Sequence, residues 1–341
     1  MRLLRRARGF FGSRQEAAAG VFPRQMRAFD RAYTIVGVFY ACNLFVVFQY
    51  IHGWRRLSEI QQIDPLWPVF WVPWLGIETA VHGIMATVVV GALAGAFLPH
   101  RRSARIAAFL GLLFYHAFIN SFGKIGHAWH AWLLCALLLI FLPDGTRSRL
   151  APSRAQRQRY LNAFWSAQAM QLILYSMAGF HKVTGVVPQM LRGQVHSFAP
   201  EALSYHIAHR LVQTESESIL GEAMIAIPAL GWLPFLFTMY LQAFAIWVAF
   251  RPSLQRPWAL GLIGFHFMTY LTMDVSFGPT ILLLGIFFLC SPFAPGELDW
   301  RRGLRDLPLF GSFFARWAGL APSRLSVAVR RALNAAKDPV G

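Results

Sequence analysis

The sequence predicts an all-α polytopic membrane protein, a helical bundle of about eight spans with both termini in the cytoplasm. Two observations carry this prediction. The 341 residues are 56% hydrophobic and 14% charged, whereas a soluble chain carries about 25% charged residues. The basic residues are also concentrated in alternate segments between the apolar stretches, as the positive-inside rule requires of a membrane protein.

Each predicted span is an apolar stretch close to the roughly 20 residues that a helix needs to cross a bilayer. The spans cover about 32–49, 76–98, 104–122, 127–142, 161–180, 223–250, 258–273 and 277–293. Pro228 and Pro234 interrupt the sixth, because proline removes a helical hydrogen bond.

Two of the connecting segments have a character of their own. Residues 51–75 combine tryptophans, which favour the membrane interface, with prolines that prevent a regular helix. This segment is either an aromatic belt or a lid over a lipid-facing pocket. Residues 181–223 form the longest loop, and a loop of this length is expected to contain short helices.

The positive charge has a topological explanation. With cytoplasmic termini, every Lys and Arg lies on the cytoplasmic side except Arg55, Arg56, Lys124, Lys182, Arg192 and Arg210. The predicted regions are a basic N-terminal segment (1–31), a transmembrane domain (32–293) and a basic amphipathic tail (294–341). Such charge faces anionic membrane lipids and argues against nucleic acid as a partner. We expect a bacterial inner (cytoplasmic) membrane location; no protein partner is indicated.

The fifth predicted span carries a polar stripe that ends in a lysine. At 100° per residue, its polar and small residues fall within an arc of about 80°. These residues are Gln168, Gln171, Tyr175, Gly179 and Lys182. His181 points to the other side of the helix. Lys182 is therefore either a functional group at the end of a buried stripe or a lysine that extends to the membrane surface.

Several other ionisable residues fall in the middle or outer part of the predicted membrane. They are Glu78 and His82 in the second span, His127 and His130 at the start of the fourth, and His266 in the seventh. Because polar groups in hydrocarbon normally face a bundle interior or a wet cavity, these residues and Lys182 are expected to converge in one cavity open to the outer side. A small lipophilic ligand would suit it.

Each histidine also has a simpler interpretation, as a structural group bonded to a neighbouring helix. The two imidazoles of His127 and His130 could instead bind zinc, or a pair of histidines could bind haem. No spacing in the sequence fixes a third metal ligand, so no metal is assigned.

The stretch YSMAGFHKV, residues 175–183, resembles the core segment of the vitamin K-dependent gamma-carboxylase family, which shares its membrane part with the HTTM (horizontally transferred transmembrane) domain proteins. Residues 264–278 resemble a later helix of that family, with a histidine followed by a glycine before an aromatic-rich span. The HAWH stretch, residues 127–130, matches a position where the family has histidine or asparagine. The resemblance covers about residues 30–295.

The resemblance implies a reduced quinone as cofactor and Lys182 as the base that deprotonates it, with reaction with oxygen then generating a strong base. The chemistry of the residues themselves agrees with this: His127, His130 and His266 could relay protons or hold a hydroxyl, and Tyr175, Gln171, His82 and Glu78 are expected to line the ligand cavity. The family's lysine pair is His181–Lys182 here, and the residues after 293 are only a basic tail. Carboxylation of protein glutamate is therefore not expected.

Three functions follow as alternatives. The first is an HTTM-type membrane protein with a quinone- or lipid-binding cavity and base chemistry at Lys182. The second is a non-enzymatic membrane scaffold or partner-binding protein. The third is a carrier of a small anion or lipid. Loss of function on removing Lys182 would separate the first from the second.

Overall fold

A computed structural model of the chain describes residues 21–58, 62–123 and 125–317. Within these ranges the chain forms helices and turns without a strand, which confirms the predicted all-α class. Lys124, most of the basic segment 1–31 and the end of the tail, including an amphipathic helix predicted at 325–333, lie outside the described residues.

The described residues contain sixteen α-helices, which we number in chain order. They are α1 (Val21–Ser58), α2 (Val72–Leu75), α3 (Ile77–Phe97), α4 (Arg102–Ile119), α5 (His130–Leu139), α6 (Arg147–Leu150), α7 (Arg154–Thr184), α8 (Val186–Leu191), α9 (Ala202–Thr214), α10 (Gly221–Ala226), α11 (Pro228–Ala243), α12 (Ala245–Val248), α13 (Gln255–Met273), α14 (Gly278–Leu284), α15 (Trp300–Asp306) and α16 (Gly311–Trp317). Short 3₁₀ turns occupy Trp67–Val69 and Pro252–Leu254, and a π-helical turn, Gly285–Leu289, follows α14.

The chain divides into two compact units. The first comprises Met1–Gln171 and Gly278–Pro292, and the second comprises Leu172–Phe277 and Phe293–Gly341. Helix α7 contributes its first part to the first unit and its last part to the second.

The first unit is built on α1, α3 and α4. Helices α3 and α4 approach closely through two glycines. A Cβ on Gly91 would lie 2.5 Å from the Ala107 carbonyl oxygen, and a Cβ on Gly111 would lie 2.9 Å from the Thr87 carbonyl oxygen. Small residues that let backbones approach in this way are typical of helix packing in membranes.

The second unit joins the last part of α7 to α9–α13 and to the C-terminal helices. Helix α11 packs on α9 and α13, and Trp258 of α13 donates its indole N–H to the Leu241 carbonyl at 2.9 Å. The chain leaves helical geometry at Phe244 (φ −99°, ψ 12°), which separates α11 from α12.

Several helix boundaries differ from the predicted spans. Helix α1 continues to Ser58, so the loop predicted at 51–75 is shorter, and α5 begins at His130, not 127. The sixth predicted span is indeed interrupted at Pro228, which begins α11 because a first-turn N–H needs no partner. Pro234 stays inside α11, and the second break occurs at Phe244 instead. The loop 181–223 contains the expected short helices, α8 and α9.

One helix in the described part of the chain, Ile77–Phe97, is long and apolar enough to cross a membrane by itself, with a mean hydropathy of 1.9. The apolar helices His130–Leu139 and Gly278–Leu289 are shorter. Helix α7 is long enough, but Asn162, Gln168 and Gln171 interrupt its apolar sequence. The structure therefore supports the helical class and one candidate span, and the count of eight stays a prediction.

Candidate functional site

The last turns of α7 present the predicted polar stripe to other helices of the second unit. Tyr175, Gly179 and Lys182 follow one another at intervals of four and three residues, so they share a face of the helix. Tyr175 contacts α13, and Gly179 and Lys182 both contact the last residues of α11. His181, one residue before the lysine, is exposed, as the helical geometry requires.

Lys182 is half-buried and bonded to neutral groups. Its Nζ donates to Gln242 Oε1 at 2.9 Å and to the Ala178 carbonyl at 3.4 Å. Among the described residues no carboxylate forms an ion pair with it. Burial lowers the pKa of Lys182 below the ordinary value of 10.5, because a low-dielectric surrounding disfavours the ammonium form.

Gly179 and Ser176 of α7 contact the end of α11 and the start of α12, next to the bond between Lys182 and Gln242. A Cβ on Gly179 would collide with the backbone nitrogen of Ala243, so only glycine permits this approach. The break at Phe244 leaves the Ile246 N–H without the carbonyl it would meet in a continuous helix, and Ser176 Oγ accepts from it at 2.8 Å. Ser176 of α7 thus pairs the backbone N–H that the break between α11 and α12 leaves without a helical partner.

His206 of α9 is a second titratable group near Lys182. Its ring lies 6.0 Å from that of Phe235 on α11. Surrounding protein lowers the pKa of His206, and the positive charges of Lys182 and then His209 lower it further. A proton on Lys182 therefore disfavours a proton on His206. The two groups carry less positive charge together than they would if they were far apart.

Tyr175 and His266 form a buried pair deeper along the same face. The Tyr175 hydroxyl and His266 Nε2 are hydrogen-bonded at 2.5 Å, and the imidazole also lies 4.7 Å from the ring of Phe277. His266 Nδ1 has no hydrogen-bond partner in the described part of the chain. The sequence predicted both residues as site residues, and the structure brings them together.

Gln171, which follows Gln168 on the stripe and belongs to the first unit, is fully buried. Neither its amide nitrogen nor its amide oxygen has a partner among the described residues. A buried amide without partners is costly, so this position can take a water molecule or a polar ligand atom.

The four site residues predicted in the first unit form two local pairs. His82 Nδ1 bonds the Glu78 carbonyl at 2.8 Å, and both side chains are exposed on α3. The Nδ1 atoms of His127 and His130 lie 3.4 Å apart, with His127 exposed in the turn before α5 and His130 opening that helix. Across residues 21–58, 62–123 and 125–317, no group of three or more His, Cys, Asp or Glu side chains is placed to hold a metal ion.

Six of the eight predicted site residues thus form three pairs, each within one unit, and Lys182 and Gln171 pair with none of the others. The structure joins Tyr175 to His266, and convergence of all six predicted ionisable residues stays a prediction. Sequence reasoning missed Gln242, Ser176 and His206. Gln242 could have been found from the sequence, because it is a lone amide in an apolar stretch and a buried amide needs a hydrogen-bond partner.

Comparisons with protein-family models, with curated proteins and with solved structures found no match to this chain. The resemblance to the HTTM and carboxylase families therefore rests on the residues quoted above.

Proposed function

We propose that the chain is an integral membrane protein of the HTTM type, with about eight spans, cytoplasmic termini and a place in a bacterial inner membrane. The support is the placement of the side chains: the core contains polar groups beside apolar ones, and large apolar side chains lie on the surface. Fully buried side chains include Arg105, Arg157, Gln168 and Gln171, while large apolar side chains are exposed on several helices. Examples are Phe45, Val90, Phe141, Phe237, Leu260 and Phe267. Apolar exposure on this scale marks a surface that meets lipid or another apolar partner.

Within that protein we propose that Lys182 is a general base toward a weakly acidic hydroxyl on a lipophilic ligand of the reduced-quinone class. The observation that carries this proposal is the bonding of Lys182 to the neutral amide of Gln242, without a carboxylate. An ion pair would favour the ammonium form, whereas partial burial without a carboxylate partner favours the free amine. A free amine near neutral pH is what a lysine base requires.

The residues around Lys182 fit a ligand of this class. Lys182 and Gln242 supply one basic and one neutral polar contact, and the same unit contains an apolar cluster of Ala202, Phe235 and Met239. His206 adds a second nitrogen base whose pKa is also lowered. A site with few polar groups on an apolar wall is typical of small-molecule binding.

The residues then have separate roles. A reduced quinone supplies hydroxyl groups that are more acidic than an alcohol. Lys182 Nζ accepts a hydroxyl proton: the O–H bond breaks, its electron pair stays on oxygen, and an N–H bond forms. Gln242 Oε1 accepts a hydrogen bond from the resulting ammonium, and Gly179 keeps that amide within reach. Loss of the proton to water restores the amine.

Binding of a short-chain reduced naphthoquinone to the purified full-length protein in micelles tests this proposal. Absorbance of the ligand's anionic form reports proton transfer, and fluorescence titration reports affinity. We expect Lys182→Ala to lose the anion signal and to bind at least about tenfold more weakly, equivalent to about 1.4 kcal/mol. His181→Ala is the matched control and should stay within about twofold, because His181 lies about 100° round the helix.

Two outcomes would overturn the proposal. Equal losses for the two variants, at equal helix content and equal protein yield, would remove the special role of Lys182. Absence of any quinol binding by the wild-type protein, with normal membrane insertion, would leave the scaffold function in its place.

A further inference from the structure

The first unit contains a cavity of about 570 Å³ that the site at Lys182 does not use. Its walls come from three elements: the start of α4, the turn that follows α5, and the first turns of α7. Gln156, Arg159 and Asn162 lie at intervals of three on α7, so they present one polar face to the cavity. The volume is in the range of small-ligand sites, about 300–1,000 Å³.

Two arginines give the cavity its charge. Arg102 and Arg159 both line it and both are exposed. Asp144, the one carboxylate in the lining, accepts from the Arg102 backbone N–H at 2.9 Å and so caps the first turn of α4. Within the described ranges neither guanidinium forms an ion pair with a carboxylate, so the cavity has two unpaired cationic groups.

The lining also has an apolar part. Ile140 and Leu142 are buried in it, and Phe141 is 63% exposed beside the cavity. The turn that carries these residues is fixed by buried Arg105, which donates to the carbonyls of Leu142 at 2.6 Å and Pro99 at 3.2 Å. The cavity therefore contains cationic and amide groups together with an exposed aromatic ring. The turn that carries this ring is held in place by Arg105.

We propose that this cavity binds the phosphodiester headgroup of an anionic phospholipid, with the glycerol–acyl region against Phe141. Guanidinium groups match phosphate oxygens in geometry and charge. The two unpaired arginines favour a phosphate, and the apolar wall favours one attached to hydrocarbon. The proposal rests on the membrane location proposed above, which puts this turn on the cytoplasmic side, where anionic lipids attract basic residues.

The test is native mass spectrometry of the full-length protein equilibrated in mild detergent with equimolar phosphatidylglycerol and phosphatidylcholine. We expect one phosphatidylglycerol to be retained preferentially. Arg102→Gln with Arg159→Gln should weaken its retention about tenfold or more, because the two changes remove both cationic groups from the cavity. Arg149→Gln with Arg154→Gln removes the same charge from exposed positions outside the cavity and should have little effect. Arg102→Lys with Arg159→Lys should recover part of the retention.

Three results would overturn the proposal. One is equal retention of the two lipids by wild type, and another is equal loss in the two glutamine pairs. The third is equally tight binding of soluble glycerol phosphate, which would mean that the cavity recognises free phosphoesters. All are distinguishable from failure of the membrane proposal, which would show as absence of insertion into vesicles of either lipid. Quinol binding at Lys182 should survive the Arg102→Gln and Arg159→Gln changes.

Discussion

At the scale of single residues, the protonation of Lys182 is the property on which the proposed function depends. Acylating reagents attack the neutral amine, so the pH profile of modification reports the pKa of each lysine. The sequence has three lysines, Lys124, Lys182 and Lys337, and peptide mapping separates their products. Because burial lowers the pKa of Lys182 below 10.5, we expect its modification to rise at lower pH than that of an exposed lysine.

A comparison lysine can be placed in the same loop region. Arg192 is exposed just after α8, and Arg192→Lys supplies a solvated amine in the same chain. Mass spectrometry of the peptides at a series of pH values gives both profiles from one sample. Coincident profiles would mean that Lys182 is an ordinary surface lysine, and the base proposal would lose its basis.

The residues near Lys182 also indicate the limits of prediction from sequence. Helical periodicity alone placed Tyr175, Gly179 and Lys182 on one face, because that face depends only on the 100° step. The partners of these residues are remote: Gln242 lies 60 residues after Lys182, and His266 lies 91 residues after Tyr175. Periodicity within one helix carries no information about which distant helix covers it.

Glu78 and His82 illustrate a different limit. Their four-residue spacing correctly predicts a shared face of α3. Apolar residues surround this helix on every side, so its sequence does not indicate which face is buried. In the structure the buried face contains Ala80, Val81 and Ile84, and the ionisable pair is exposed.

At the scale of helices, the contact between α7 and the end of α11 depends on Gly179. Gly179→Ala would place a methyl group against the Ala243 backbone, and the helices would have to separate. We expect a loss of about 1–3 kcal/mol in stability, as for other overpacked contacts, seen as a lower midpoint of thermal unfolding in micelles. The Lys182 modification profile should also shift toward higher pH, because separation exposes the amine.

Gly264→Ala is the matched control for this change. Gly264 lies within α13, and a Cβ there would meet nothing within 4 Å. Alanine is favoured over glycine in a helix by about 1 kcal/mol, so this variant should keep or raise the unfolding midpoint. A similar loss in both variants would show that α7 and α11 do not depend on the glycine contact.

Helix boundaries were predictable where a residue acts alone. Pro228 lacks an N–H and so suits the first position of a helix, where that N–H would have no partner, whereas Pro234 lacks the same group and stays inside α11. At the break near Phe244, the N–H of Ile246 is bonded by Ser176 of another helix. The sequence around Phe244 therefore contains no residue that predicts the break. The extension of α1 to Ser58 passes through residues that resembled an interface loop by composition.

At the scale of the whole molecule, the two proposed sites should lie on opposite sides of the membrane. Lys182 lies in the loop 181–223, which is predicted to be on the outer side of the membrane. Arg102 and Arg159 lie in basic segments that are predicted to be cytoplasmic. Composition and charge distribution predicted the helical class and this sidedness. They could not predict the division into two compact units, because that depends on which helices pack together.

Single cysteines test the sidedness directly. Ser148 is exposed before the cavity helix α7, and Glu217 is exposed between α9 and α10. Cys290 is exposed, Cys42 is half-buried and Cys135 is buried, so a Cys290→Ser background removes the most accessible native thiol. Ser253, although it also lies in a predicted cytoplasmic turn, is a poor position because its hydroxyl is buried against Asp306 at 2.5 Å.

In intact cells we expect an impermeant thiol reagent to label Glu217→Cys and to label Ser148→Cys only after the membrane is permeabilised. The reason is that predicted spans five and six separate the loop 181–223 from both neighbouring basic segments. Labelling of Ser148→Cys alone would invert the topology and place Lys182 in the cytoplasm. Labelling of both in intact cells would mean that no bilayer separates them, and because the headgroup and base proposals need opposite surfaces, at least one would then be wrong.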